Sequence, residues 1–188
     1  LPYTIQNYLS DQIGVPRMST DLPEFAEAEK GITEKIEKLM AVQGNRSVDS
    51  IHKELGLVMW DFVGMGRTAE SLKTAVEKID AIKKEFWSNV YIPGEANSLN
   101  NELEKALRLA DFIEIGRLMA VDALNREESC GGHFREEYQT PEGEAMRQDD
   151  KFSYVACWKY TGEDSEPELI KEPLDYEFTE RKTRNYKS

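Results

Sequence analysis

A chain of 188 residues is long enough to bury one core, with room for a small appendage, and too short to be a complete large enzyme. Its 24 Lys and Arg face 36 Asp and Glu, and the resulting net charge of -12 argues against nucleic-acid partners and anionic membrane surfaces. No apolar run approaches the roughly 18 residues of a membrane span, the start lacks a signal peptide's basic region, and Cys130 and Cys157 make no disulfide framework. The chain therefore reads as soluble and intracellular, with reduced thiols and no direct membrane insertion.

The opening segment LPYTIQNYLSDQI, residues 1–13, begins without methionine and carries apolar and aromatic side chains with no obvious partner, as an excised piece of a longer chain would. A first helix is expected over about 22–43, with Thr20 or Asp21 able to cap, Pro23 in the first turn, and Phe25, Ala28, Ile32, Ile36, Leu39 and Met40 at three- and four-residue spacing. Gly44 and Asn45 stop it. A second helix starts at Ser47 or Asp49, and its stripe of Ile51, Leu55, Val58, Met59, Phe62 and Val63 runs to Gly64. Thr68 caps a third, in which Leu72, Ala75, Val76, Ile79, Ile82 and Phe86 face one way, and which ends near Asn89 before Pro93-Gly94.

A fourth helix is expected from Asn97 or Ser98 to about Glu127, with one stripe of Leu99, Leu103, Ala106, Leu107, Ala110 and Ile113 and a second of Leu109, Phe112, Ile115 and Met119. Two stripes predict burial on two sides. Glycines 131 and 132 end the helical pattern, and an irregular segment follows. KFSYVACWKY then alternates, with Phe152, Tyr154, Ala156, Trp158 and Tyr160 on one face, and LDYEF alternates through Leu174, Tyr176 and Phe178. These read as two antiparallel strands joined by an acidic loop over 161–173, before a basic tail at 181–188 that is expected to fray.

The expected fold is mainly α: an antiparallel up-and-down bundle of three to four helices, then a small irregular segment with a two-stranded antiparallel β-hairpin. The expected organisation is a trailing segment over 1–19, the bundle over 20–128 and the C-terminal loop and hairpin region over 129–188.

GMGRTA, with Gly64, Gly66 and Ala69, satisfies a loose dinucleotide fingerprint. The preceding LVMWDFV continues a helical stripe, and the later candidate strand FWSNVYI lacks the acidic residue that holds a ribose, so a helix-helix turn is the better reading. Cys130 and His133 stand at C-x-x-H spacing, but with His52 isolated in a helix no four-ligand zinc set can be assembled. Ser129, Cys130 and His133 are too close in sequence to assemble a nucleophile and its base in the usual way. Most carboxylates are interleaved with Lys and Arg on helix faces, as solvated surfaces are. Arg126, His133 and Arg135 differ, because they crowd around a glycine turn: they either interact with the dipole at a helix C-terminus or serve in docking.

At this turn NREESCGGHFREEY resembles the E-S-R-G-A-H-x-R-E-D-Y signature of succinate dehydrogenase and fumarate reductase flavoprotein subunits. Glu128, Ser129, Gly131, His133, Arg135, Glu136 and Tyr138 match, while Cys130 stands for arginine, Gly132 for alanine and Glu137 for aspartate. GRTAESL resembles the family's G-V-x-R-T-x-E-x-L segment, NSLNNELEKALRLAD its N-x-E-L-x-x-A-L-x-L-A stretch, and WKYTG its W-x-K-H-T segment. Cys130 resembles the branch found in anaerobic bacteria, whose complex also has an iron-sulfur subunit and a cytochrome b membrane anchor.

The resemblance implies a C-terminal helical and docking domain of an FAD-dependent oxidoreductase that interconverts succinate and fumarate. It also implies a cytoplasmic place, peripheral to the inner membrane through partner subunits, with residues 1–19 trailing from the FAD-binding domain. The family's flavin-attachment motif H-T-x-A-A-Q-G-G and its substrate-holding residues are absent, so no catalytic, cofactor or metal residue is assigned, and the chain alone is expected to be colourless and inactive. The turn of Glu128, Ser129, Cys130, Gly131, Gly132, His133, Arg135 and Glu136 is expected to be a largely exposed docking surface for the FAD-binding domain, with Arg135→Ala leaving the melting temperature nearly unchanged. Two other readings stand beside this one: the corresponding domain of L-aspartate oxidase, and a free-standing helical interaction module. The hairpin favours the respiratory enzyme over the first of these.

Overall fold

A computed structural model describes residues 1–162 and 165–182. The opening segment, for which no helix is expected, forms α1 Pro2–Asp11, and the four periodic segments are helices within a few residues of the expected bounds: α2 Pro23–Ala41, α3 Val48–Val63, α4 Ala69–Asn89 and α5 Asn101–Asn125, followed by the single turn α6 Asp149–Phe152. α2 begins after Leu22, not at Thr20 or Asp21, and without a side-chain cap, but the starts of α3, α4 and α5 are chemically marked. The Ser47 hydroxyl accepts from the Ser50 amide, and Thr68 and Ser71 form a reciprocal capping box. At α5 the cap is Asn100, three residues beyond the position read from the sequence; its Oδ1 accepts from the Leu103 amide while its Nδ2 donates to Pro93.

α3, α4 and α5 form an up-and-down bundle. Asp80 and Lys83 of α4 pair with Arg117 and Glu114 of α5, the descending order that antiparallel neighbours require. Asp49 and His52 of α3 meet Lys105 and Phe112 of α5 in ascending order, so these two run parallel. The faces turned inward carry Ile51, Leu55 and Val58, then Leu72, Ala75, Ile79, Ile82 and Phe86, then Leu103, Ala106, Leu109, Ile113 and Ala120, all buried. α2 reaches this core only with its C-terminal half, where Leu39 is buried and Lys35 pairs with Asp111.

One expectation fails here. The second stripe of α5 is not covered: Leu109 is buried, but Phe112, Ile115 and Met119 are exposed, because α2 packs on only part of that helix. The apolar side chains of α1, including Leu1, Tyr3, Ile5, Tyr8 and Leu9, are exposed as well.

A feature absent from the sequence reading ties the α2–α3 turn to the end of α4. Strands β1 Arg46–Ser47 and β2 Val90–Tyr91 pair in parallel, and the amides of Gly44 and Asn45 donate to Val90 and Asn89. A side chain at position 44 would place its Cβ 2.0 Å from the Asn89 carbonyl oxygen, so only glycine permits this approach.

The hairpin exists, with its second strand displaced. β3 Tyr154–Lys159 pairs with β4 Glu168–Pro173, Lys159 opposite Glu168, and not with LDYEF, which lies beyond the ladder. β4 thus occupies the last six residues of the segment expected to be the acidic loop. β3 lies along α5 through Trp158, whose Nε1–H donates to Asp122 at 2.7 Å, and through buried Tyr154. The tail expectation falls outside the described residues beyond 182.

Candidate functional site

At the end of the bundle where α4 begins and α5 stops, three segments interlock. Residues 64–68 connect α3 to α4, residues 126–138 leave α5, and residues 144–152 return across them. Arg67 and Arg135 are neighbours in a parallel bridge: the Arg67 amide donates to the Phe134 carbonyl, and the Glu136 amide donates to the Arg67 carbonyl at 3.0 Å.

Cys130 and His133 exchange both backbone hydrogen bonds around Gly131-Gly132, a tight reversal in which Gly131 takes φ 59°. That left-handed conformation is what makes glycine the natural residue there. Beneath the reversal lies a polar core. Ser129 is fully buried, its hydroxyl accepting from the Arg135 amide at 2.8 Å and donating to the Arg135 carbonyl at 3.1 Å. The Glu128 carboxylate takes the Arg126 guanidinium at 2.8 Å on one oxygen and the Gln148 amide at 2.7 Å on the other.

Arg135 is 2 % exposed, and this overturns the expectation that the turn is open to solvent. Its Nη1 donates to the Ala123 and Leu124 carbonyls in the last turn of α5, its Nε donates to Glu137 at 3.2 Å, and its guanidinium faces the Tyr138 ring. Carbonyls at a helix C-terminus have no intrahelical donor and carry partial negative charge, so a guanidinium there satisfies both needs. The dipole reading of the basic cluster is the correct one for this residue. Arg135 acts as an internal brace, and Glu128 and Ser129 share that burial.

Glu137 completes the clasp. One oxygen accepts from the Ala69 amide in the first turn of α4, and the other from Arg135, so a single carboxylate joins the positive end of one helix to the cation capping the other. Burial alone pushes its carboxyl up, but the Ala69 amide and Arg135 outweigh that and hold it below the usual range. His133 is half-buried with Nε2 at 2.8 Å from the Arg126 carbonyl, so that nitrogen carries the proton. Burial drives its pKa down, the Arg126 carbonyl pulls the other way, and Arg67, Arg126 and Arg135 add to the lowering.

The remaining candidates fall as follows. Gly131, Gly132 and Glu136 are exposed, and Cys130 is half-buried. GMGRTA is a helix-helix turn preceded by α3, not by a strand. The Arg67, Thr68 and Ala69 amides are taken by Phe134, Ser71 and Glu137, so this turn offers no cradle for a phosphate, and FAD does not fit there. No group of three or more His, Cys, Asp and Glu suited to a metal lies among the described residues. Ser129 Oγ is committed on both sides to Arg135. The braces Glu137 and Asp122 escaped the sequence reading, because each resembles one of many surface carboxylates; only Glu137's place inside the signature offered a signal.

A bundle closed at one end by a buried arginine turn, with a hairpin laid along its last helix, places the chain in the class of helical domains and apart from dinucleotide-binding ones. The chain belongs to the family described as fumarate reductase flavoprotein C-term, whose model matches residues 52–186. It is similar to an uncharacterised FAD-dependent oxidoreductase of Methanocaldococcus jannaschii, with 31% identity over 112 residues that take in 60% of this chain and 20% of that protein. The succinate dehydrogenase flavoprotein subunit of Bacillus subtilis is 25% identical over 153 residues, covering 81% of this chain and 25% of that subunit. The fold is that of part of Escherichia coli quinol fumarate reductase, with a TM-score of 0.73 at 22% identity over 90% of this chain and 28% of that one. The chain thus spans about a fifth to a quarter of the length of these curated relatives. No helix among the described residues is long and apolar enough to cross a membrane.

Proposed function

We propose that this chain is the carboxy-terminal helical and docking portion of a flavoprotein subunit that interconverts succinate and fumarate. FAD and the dicarboxylate are held by the part of the subunit outside these residues. Electrons pass on to an iron-sulfur subunit and a cytochrome b anchor, which keep the subunit peripheral to the inner membrane on its cytoplasmic side. The observation that carries this reading is that the signature residues form one continuous unit, with Glu128, Ser129 and Arg135 bracing it from within.

The division of labour follows the burial. Gly131, Gly132 and Glu136, with half-buried Cys130 and His133, form the docking surface, and the buried three fix its shape. Residues 1–19 trail from the FAD-binding domain, residues 20–128 form the bundle, and residues 129–188 carry the clasp and hairpin. This chain supplies shape and positioning, and no step of hydride or proton transfer is assigned to its residues.

The test compares two proteins. Purified alone, residues 1–188 are expected to show no flavin absorbance and no succinate-dependent dye reduction, whereas the full-length subunit shows both. Full-length protein that instead oxidises L-aspartate and leaves succinate untouched would replace this reading with the aspartate oxidase one.

A further inference from the structure

Among the described residues, Arg67 is the one guanidinium of the clasp without an ion-pair partner. Its backbone is fixed on both sides by Phe134 and Glu136, so its position is set by the fold. Its Nε is buried and has no hydrogen-bond partner, and no carboxylate among the described residues makes an ion pair with it. Of the neighbouring acids, Glu137 is committed to the Ala69 amide and Arg135, Glu128 to Arg126 and the Gln148 amide, and Asp122 to the Trp158 indole, while the Glu136 carboxylate lies beside Gly66 and makes no ion pair with Arg67. Burial and the nearby Arg135 both disfavour its charge, and Asp122 favours it.

A guanidinium stays protonated, so partial burial without a counter-ion is costly until an anion with two acceptor oxygens meets its fork of donors. The same end of the molecule also exposes large apolar side chains. Met65 is 90% exposed in the adjoining loop, and Trp60, one turn before the end of α3, is 80% exposed. A half-buried cation at an end of the molecule that also exposes apolar side chains is the form of an interface anchor, where excluding water strengthens a charged pair.

We infer that Arg67 is an interface anchor that receives an Asp or Glu carboxylate from the portion of the same flavoprotein outside residues 1–188, with Trp60 and Met65 covering the pair. The rest of the subunit is favoured as the source because the matched region makes up only a fifth to a quarter of the curated relatives, whose remaining length would lie against this domain. This inference rests on the docking role proposed above and replaces Arg135 with Arg67 as the charged anchor.

The test uses the full-length subunit with its natural partner subunits. In the Arg67→Lys variant, a zero-length carbodiimide joins the introduced amine to any carboxylate in contact with it, and mass spectrometry identifies the acid. The expected product is an amide to an Asp or Glu outside residues 1–188, together with about tenfold faster amide exchange over 64–68 in Arg67→Ala than in the unmodified subunit. A cross-link to Asp122 or Glu136 would show that the chain neutralises Arg67 itself. A cross-link to the iron-sulfur subunit would name a different partner, and equal exchange in both proteins with no cross-link would show a free surface. Each of these three results overturns the inference. Flavin content and succinate-dependent dye reduction of the unmodified subunit are read in parallel, so an active flavoprotein lacking the cross-link sinks this inference alone.

Discussion

The bundle core and the clasp at its end are both closed to water, but they are held together by opposite means. In the core, apolar side chains recur at helical spacing, and their stabilisation is non-directional and follows the area buried. In the clasp, Arg135, Glu128 and Ser129 are as buried as Phe86 or Ile79, yet each is held by hydrogen bonds of fixed geometry. A core built from area tolerates a change in chemistry better than a change in volume. A clasp built from donors and acceptors tolerates neither the loss of one partner nor a shift in protonation.

The contrast can be broken at several points. Phe86→Ala empties a fully buried site between the helices and is expected to cost about 4 kcal/mol, with a loss the same at pH 7 and pH 5.5 in thermal denaturation. Arg135→Ala leaves the Ala123 and Leu124 carbonyls and Glu137 without their donor, and about 3 kcal/mol is expected to be lost, lowering the melting point by about 10 °C. Arg135→Lys should recover less than half of this, because an ammonium does not reproduce the fork. A melting point unchanged in Arg135→Ala would mean that the clasp contributes nothing to the stability of the bundle.

Gly44→Ala forces a Cβ into the Asn89 carbonyl, which is backbone and has little freedom to yield, so a loss of about 2 kcal/mol is expected, independent of salt. The smallest effect is the pH dependence. His133 has a folded pKa below its ordinary 6.5, so the unfolded chain binds its proton first, and stability declines as pH falls from 6.5 toward the folded value. Glu137, held below 4.5, contributes stability that is present above that value and disappears as pH falls through its folded pKa. His133→Gln should flatten the first decline and leave the second, measured by denaturant midpoints between pH 7 and pH 3.

The helices of the bundle were legible because each carries an apolar stripe and a start signal, Pro23 for α2 and a capping side chain for α3, α4 and α5; Thr68 and Ser47 sit where their caps were expected, whereas α2 begins after Leu22 with no side-chain cap and α1 has no buried face to mark it. The second strand was not. LDYEF alternates more clearly than ELIKEP, but the ladder is set by backbone pairing and the Lys159–Glu168 ion pair, and β4 is largely exposed, so no buried face marks it. Arg135 was misjudged for a related reason: an arginine near glycines looks like surface until the helix end it caps is in view. The β1–β2 ladder rests on Gly44, whose requirement for a bare Cα depends on Asn89, far along the chain.

That ladder has a mechanical consequence. By fastening Arg46 and Ser47 to Val90 and Tyr91, it closes α3 and α4 into a ring, because residues 64–68 already join the two helices covalently at their other end. Local opening of residues 126–138 therefore leaves α3 and α4 joined at both ends and loosens only what the clasp itself ties, the start of α4 to the end of α5. The α3–α4 pair is a closed frame with one fastening at Gly44 and Asn89, and α5 is the helix that the clasp alone holds to its far end.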